Sequence, residues 1–241
     1  MTSNFSYKQQ FERFAQNMGR KFEPEIRYHL AKTYLCLGGT TATATLGSLL
    51  HLSGWLELGF LTGIGSILLV LGLIFMEDNG KNFYTRLGML LGFGFCSGQT
   101  LGPFLQYIRI LNPAIIVTAL TGTSIVFVTL TLAALLAERG SYLFLGGILI
   151  SVLNTMALIS LFNMFMGSYF IAQTQLYIGL GVMSTFILYD TQAIIEKARM
   201  GSRDYIRHSL DLFFDVLSIF RKLLIILAQK EENERQNKKR N

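Results

Sequence analysis

Five stretches of this 241-residue chain contain no Asp, Glu, Lys or Arg: 33–56, 58–76, 87–108, 110–137 and 140–189. The first four each meet the roughly 20 residues that a helix needs to cross a hydrocarbon core about 30 Å thick. The fifth is long enough for two such helices, and Phe162-Asn-Met-Phe-Met-Gly167-Ser168 supplies turn-compatible residues where it would divide. Only 15% of the residues are charged and 51% are hydrophobic, against about 25% charged in ordinary soluble domains. The chain therefore reads as an all-α integral membrane protein, and its first partner is the lipid bilayer.

Six spans are clear, and a seventh, shorter segment lies around 210–227. The expected organisation is an N-terminal segment over 1–29, a polytopic membrane domain over 30–228 and a charged, flexible tail over 229–241. Residues 1–29 lack the short basic region, apolar core and small-residue cleavage site of a signal peptide, so the first span serves as its own insertion signal. Arg109 is the single basic residue in the loops after the first, third and fifth spans. Lys81, Arg86, Arg139, Lys197, Arg199, Arg203 and Arg207 lie on the other side with the N-terminal basic residues. The positive-inside rule then places the N-terminus in the cytosol. A full seventh crossing would carry Lys230, Arg235, Lys238, Lys239 and Arg240 to the far side against that rule, so the seventh segment either crosses fully or re-enters and turns back.

The net charge of +6 does not indicate nucleic acid, because the basic residues lie in short loops and at the ends without an interleaved aromatic surface. Cys36 and Cys96 both fall within apolar spans and suggest neither a disulfide framework nor a thiolate cluster. No cofactor is indicated. Gly38, Gly39, Gly47, Gly88, Gly92, Gly94, Gly98, Gly146, Gly147, Gly179 and Gly181 fit the small-residue faces on which membrane helices approach one another. Pro113 suits a helix start, whereas Pro103 sits deep enough to kink its helix or to break it.

Against this background, two aspartates stand out. Asp190 ends the sixth apolar run and Asp215 interrupts Leu212-Phe-Phe-Asp-Val-Leu-Ser-Ile-Phe220. A carboxylate at a helix centre costs roughly 2.5–3.5 kcal/mol on insertion scales, which makes a functional, solvated or proton-bearing role the default. At about 100° per residue, His208, Asp211, Asp215, Ser218 and Lys222 share a stripe roughly 80° wide. Leu212, Phe213, Phe214, Val216, Leu217, Phe220, Leu223 and Leu224 cover the remaining circumference, broken by Arg221. So narrow a polar line suits a helix in the bundle centre lining a shared cavity better than one lying in the interface. His208 is the candidate for tuning a response near neutral pH, although a lone histidine beside a loop is ordinarily solvated.

The segments Gly98-Gln-Thr-Leu-Gly-Pro-Phe-Leu105, Asn112-Pro-Ala-Ile-Ile-Val-Thr-Ala-Leu-Thr-Gly-Thr123, Tyr142-Leu-Phe-Leu-Gly-Gly147, Tyr189-Asp-Thr-Gln-Ala-Ile-Ile-Glu-Lys197 and Asp211-Leu-Phe-Phe-Asp-Val-Leu217 carry a resemblance. They resemble the Bax inhibitor family of transmembrane Bax-inhibitor-motif proteins, in the family's order and most like its eukaryotic endoplasmic-reticulum branch. The resemblance implies a seven-helix bundle whose last helix is enclosed by the other six. It further implies a pH-sensitive calcium leak in the endoplasmic reticulum membrane that suppresses apoptosis and ER stress. The family's proton-sharing, gating aspartates map onto Asp190 and Asp215, with Lys81 and Arg86 as candidates for its basic latch.

A pair of carboxyls within hydrogen-bond reach titrates as a unit. Its deprotonated form offers hard oxygen ligands that make transient contact with calcium, too few for tight storage. An enzyme is not expected. An intramembrane aspartyl protease would need a Gly-x-Gly-Asp setting, whereas Phe213, Phe214 and Val216 crowd Asp215, and no histidine accompanies a nucleophile at membrane depth. The alternative is a membrane scaffold that restrains cell death by binding regulatory proteins through its loops and tail without transporting ions.

Overall fold

The computed structural model describes residues 22–240. Seven helices and no strand occur among them: α1 Pro24–Leu52, α2 Phe60–Phe75, α3 Phe83–Leu111, α4 Ala114–Leu136, α5 Leu145–Met166, α6 Tyr169–Arg199 and α7 Tyr205–Arg240. By length and apolarity α4, α5 and α6 each satisfy the requirement for crossing a membrane, while α2 is apolar but only 16 residues long. The protein is a multi-pass membrane protein. Most of the N-terminal segment 1–29 lies outside the described residues, and α1 already begins at Pro24.

The local sequence explains the ends of these helices. Gly167 closes α5 in the left-handed region at φ 63°, a conformation that glycine adopts without a Cβ penalty. Ser168 then caps α6 by accepting from the Ile171 N–H at 3.5 Å, and Asn163 binds the Ser168 backbone through both amide atoms. The division expected at 162–168 therefore falls where these residues place it. α3 runs unbroken through Pro103, and Pro113 stands immediately before α4.

α1 and α3 come closest. A Cβ on Gly98 would lie 1.9 Å from the Ala44 carbonyl oxygen, and one on Gly94 would lie 2.6 Å from that of Thr40. The spacing Gly94-x-x-x-Gly98-x-x-x-Gly102 puts all three glycines on one face of α3, which seats α1 backbone to backbone. Gly39, Gly47, Gly92, Gly146 and Gly179 also face close neighbours, whereas Gly38, Gly88, Gly147 and Gly181 face open space.

α7 packs against α6, α1, α4 and α3, while α2 packs on α3 and α5 on α6. The last helix is thus central, with four neighbours around it and α2 and α5 standing outside. Most of its buried apolar residues fall into two layers. Ile206, Leu210, Leu212 and Phe213 join a core with α1, α3 and α6, and Leu224 and Ala228 join a second with α3 and α4. Asp215 lies between them.

α7 continues as one helix for 36 residues, about 54 Å, well beyond the expected 210–227. No bend returns it, and its two ends meet opposite ends of α3: Asp204 bonds Arg86, and the Arg235 guanidinium bonds the Leu111 carbonyl. The charged segment expected to be flexible is helical through Arg240. Strong helix formers fill it, and Lys230–Glu234 and Glu231–Arg235 pair at i,i+4.

Candidate functional site

α6 delivers Asp190 from its C-terminal half, and α7 delivers Asp215 about three turns into its own length. The two carboxyls lie within hydrogen-bonding reach of each other. Asp215 is 5% exposed, and its Oδ2 has no partner among the described residues. An ionised carboxylate can only accept, so two carboxyls this close can hydrogen-bond to each other only where one of them carries a proton. Asp211, one turn before Asp215 on the same face, is close enough for its charge to act on both. Two acids of the α7 stripe, on successive turns, thus gather with Asp190 of α6.

The remaining stripe residues go elsewhere. Ser218 is half-buried. Lys222 lies against α6 rather than beside the acids: a Cβ on Gly179 would approach its Nζ to 2.6 Å. His208 is not solvated as a loop-proximal histidine would be. It is 3% exposed, and its Nδ1 stands 2.8 Å from Nε2 of His29 on α1, itself 6% exposed. The cause is a sequence separation of 179 positions, which no local pattern reveals.

Neither latch candidate meets the aspartate pair. Lys81 is exposed in the α2–α3 turn, where its N–H donates to Asn79 Oδ1 at 3.0 Å. Arg86, 2% exposed, donates to Asp204 Oδ2 at 2.7 Å and reaches Asp78 at 3.8 Å. Asp204 in turn caps α7 by accepting from the Arg207 N–H at 3.0 Å. Arg86 thus fastens the start of α3 to the start of α7.

Two further groups surround the site. Gln192, two residues after Asp190, accepts from the Tyr142 N–H at 2.8 Å and donates to the Glu138 carbonyl at 3.0 Å, holding the α4–α5 connection onto α6. The Tyr34 hydroxyl of α1 lies beside the hydroxyls of Thr131 and Thr191. Each of these could have been suspected only as a polar residue inside an apolar helix. Among the described residues no group of three or more His, Cys, Asp or Glu is arranged to hold a metal ion, and the Cys36 and Cys96 thiols are free and half-buried.

Comparison with known proteins adds an independent finding. Residues 26–232 match the sequence profile of the family described as inhibitor of apoptosis-promoting Bax1. The chain is 56% identical over 240 residues to a Drosophila melanogaster protein named Bax inhibitor 1, covering 100% of this chain and 98% of that protein. It is 43% identical to the Homo sapiens protein of that name, over 90% and 92% of the two chains. Identity to the Arabidopsis thaliana namesake is 36%, over 87% and 84%.

Proposed function

Because the chain belongs to the Bax inhibitor family, and is thereby an apoptosis-inhibiting membrane protein, we propose that it acts as a pH-sensitive calcium leak of the endoplasmic reticulum membrane. In this reading the N-terminus faces the cytosol, as the distribution of basic residues favours, and α7 crosses fully, a course supported by the contacts of its two ends with opposite ends of α3. The observation that carries the reading is the meeting of Asp190 and Asp215 between two apolar layers of the bundle.

With one proton shared, the pair ties α6 to α7 and closes the path. Loss of that proton leaves two like charges, with Asp211 adjacent, that separate or recruit a cation. Their oxygens suit a hard divalent ion, and their small number favours passage over storage. The test is calcium efflux from loaded liposomes containing the purified protein, followed across pH. Wild type should change its leak with pH and Asp215→Asn should not; identical profiles would leave the scaffold reading in possession.

A further inference from the structure

Two adjacent cations interrupt the apolar run of α7, and they have different surroundings. Lys222 lies against Gly179 of α6. Arg221 instead lines a half-enclosed cavity of about 360 Å³ between α2, α3 and α7, together with Ser66, Ser97 and Thr100 and the apolar side chains of Phe104 and Ile225. Among the described residues no carboxylate pairs with Arg221.

The depth of this cavity follows from the alignment of two helices. Arg86 meets Asp204 at one end of the α3–α7 pair, and Tyr107 meets Glu232 at the other. Those two levels are about 42 Å apart along α7 at 1.5 Å per residue. A core about 30 Å thick centred between them places the Arg221 backbone roughly 10 Å inside the apolar layer. A guanidinium at that depth requires an anion or water close by.

Three features select the anion. First, the cavity joins a cation to apolar walls, which fits an acidic group carrying a hydrocarbon tail. Second, α2 packs on α3 and makes no extended contact with α7, so the cavity has lateral access between α2 and α7. Third, the 16 residues of α2 span only about 24 Å, and such a mismatch is relieved by local thinning of the bilayer, about 3 Å on each face. Thinning brings the headgroup layer toward Arg221 while the long side chain snorkels outward. The hydroxyls of Ser66 and Thr100 donate to the carbonyls of Gly63 and Cys96, which leaves Ser97, buried and without such a bond to its own helix, as the hydroxyl donor nearest in kind to the guanidinium's task.

We propose that this cavity is a phospholipid site in which Arg221 and Ser97 hold the phosphodiester and one acyl chain lies along Phe104 and Ile225. Arginine suits the role because its planar fork matches phosphate oxygens two at a time.

The test is native mass spectrometry of the full chain released from phosphatidylcholine nanodiscs, counting retained lipid. Wild type should keep one phosphatidylcholine. Arg221→Gln should reduce retention by about tenfold, the effect of losing one charge-assisted contact, with Arg221→Lys intermediate. Diacylglycerol with the same chains should not be retained. Equal retention by wild type and Arg221→Gln, equal retention of diacylglycerol, or displacement of the lipid by millimolar inorganic phosphate alone would each overturn the proposal. A photoreactive phosphatidylcholine in membranes of the unaltered protein guards against a misfolded variant: it should label the peptides bearing Phe104 and Ile225, and labelling confined to α5 would overturn it.

Discussion

The imidazoles of His29 and His208 share a hydrogen bond of 2.8 Å across 179 positions of chain, joining the first helix to the last. Such a bond needs at least one neutral ring, because a doubly protonated pair has no acceptor left. Asp204 lies near both rings, whereas Lys197 and Arg207 add positive charge beside His208.

Burial favours the neutral rings in the fold, so the stability that this bond supplies should be present above the ordinary histidine value of about 6.5 and decline below it, where the unfolded chain takes up protons that the buried pair resists. Thermal unfolding of the detergent-solubilised protein should show stability at pH 8 and a decline toward pH 5. In His208→Gln, whose amide keeps a donor and an acceptor at every pH, the slope should flatten. An unchanged slope would remove the histidine pair as its cause.

Substitution at Gly98 should be far more damaging than at Gly88. The Ala44 carbonyl would meet a new Cβ at 1.9 Å in the first case, and nothing lies within 4 Å in the second. Gly98→Ala should cost about 1–3 kcal/mol, the usual range for overpacking, while Gly88→Ala should be neutral or slightly favourable through helix propensity. Melting temperatures of the two variants measured side by side decide the matter.

Loss of the Arg86 charge should loosen both helices that it joins. Breaking a buried ion pair from one side costs about 3–5 kcal/mol, and the partial exposure of Asp204, 22%, puts Arg86→Leu nearer to 2–3. Because the two residues act on each other, the double variant Arg86→Leu/Asp204→Leu should be less destabilised than the sum of the singles. Strict additivity in chemical denaturation would show that the pair is not coupled.

Neutralising Asp190 and Asp215 together should change calcium efflux little more than neutralising either one. A pair bound through one proton loses its function when either member goes. If the double variant instead shows the sum of two independent effects on the pH profile, the aspartates do not work as a unit.

The parts of this architecture that follow from the price of placing charge in hydrocarbon were legible in the sequence. Asp190 and Asp215 stood out because uncharged runs surround them, and the division near Gly167 stood out because glycine and asparagine interrupt an apolar pattern. Partners distant in sequence were not legible. His29 sits among the charges of the N-terminal segment, and nothing local ties it to His208. Arg86 resembled a loop cation suited to a latch, yet its partner is the capping residue Asp204. Lys222 shares a helical stripe with Asp215, but a stripe fixes direction and not neighbours, and a glycine on α6 draws the lysine aside. The tail read as solvated because of its charge, while the alternation that makes it soluble also supplies the i,i+4 pairs that keep it helical.

The central place of α7 has a consequence for biosynthesis. α1, α3, α4 and α6 all pack against a helix that is translated after every one of them, so the nascent protein completes α6 with an empty slot along its axis. Until that last segment arrives, Asp190 has no carboxyl to meet, His29 has no ring to bond, and Arg86 has no Asp204. A chain cut short before residue 204 would thus not be a smaller version of this protein. It would be an unfinished shell with polar groups facing a gap, the kind of product that membrane quality control removes.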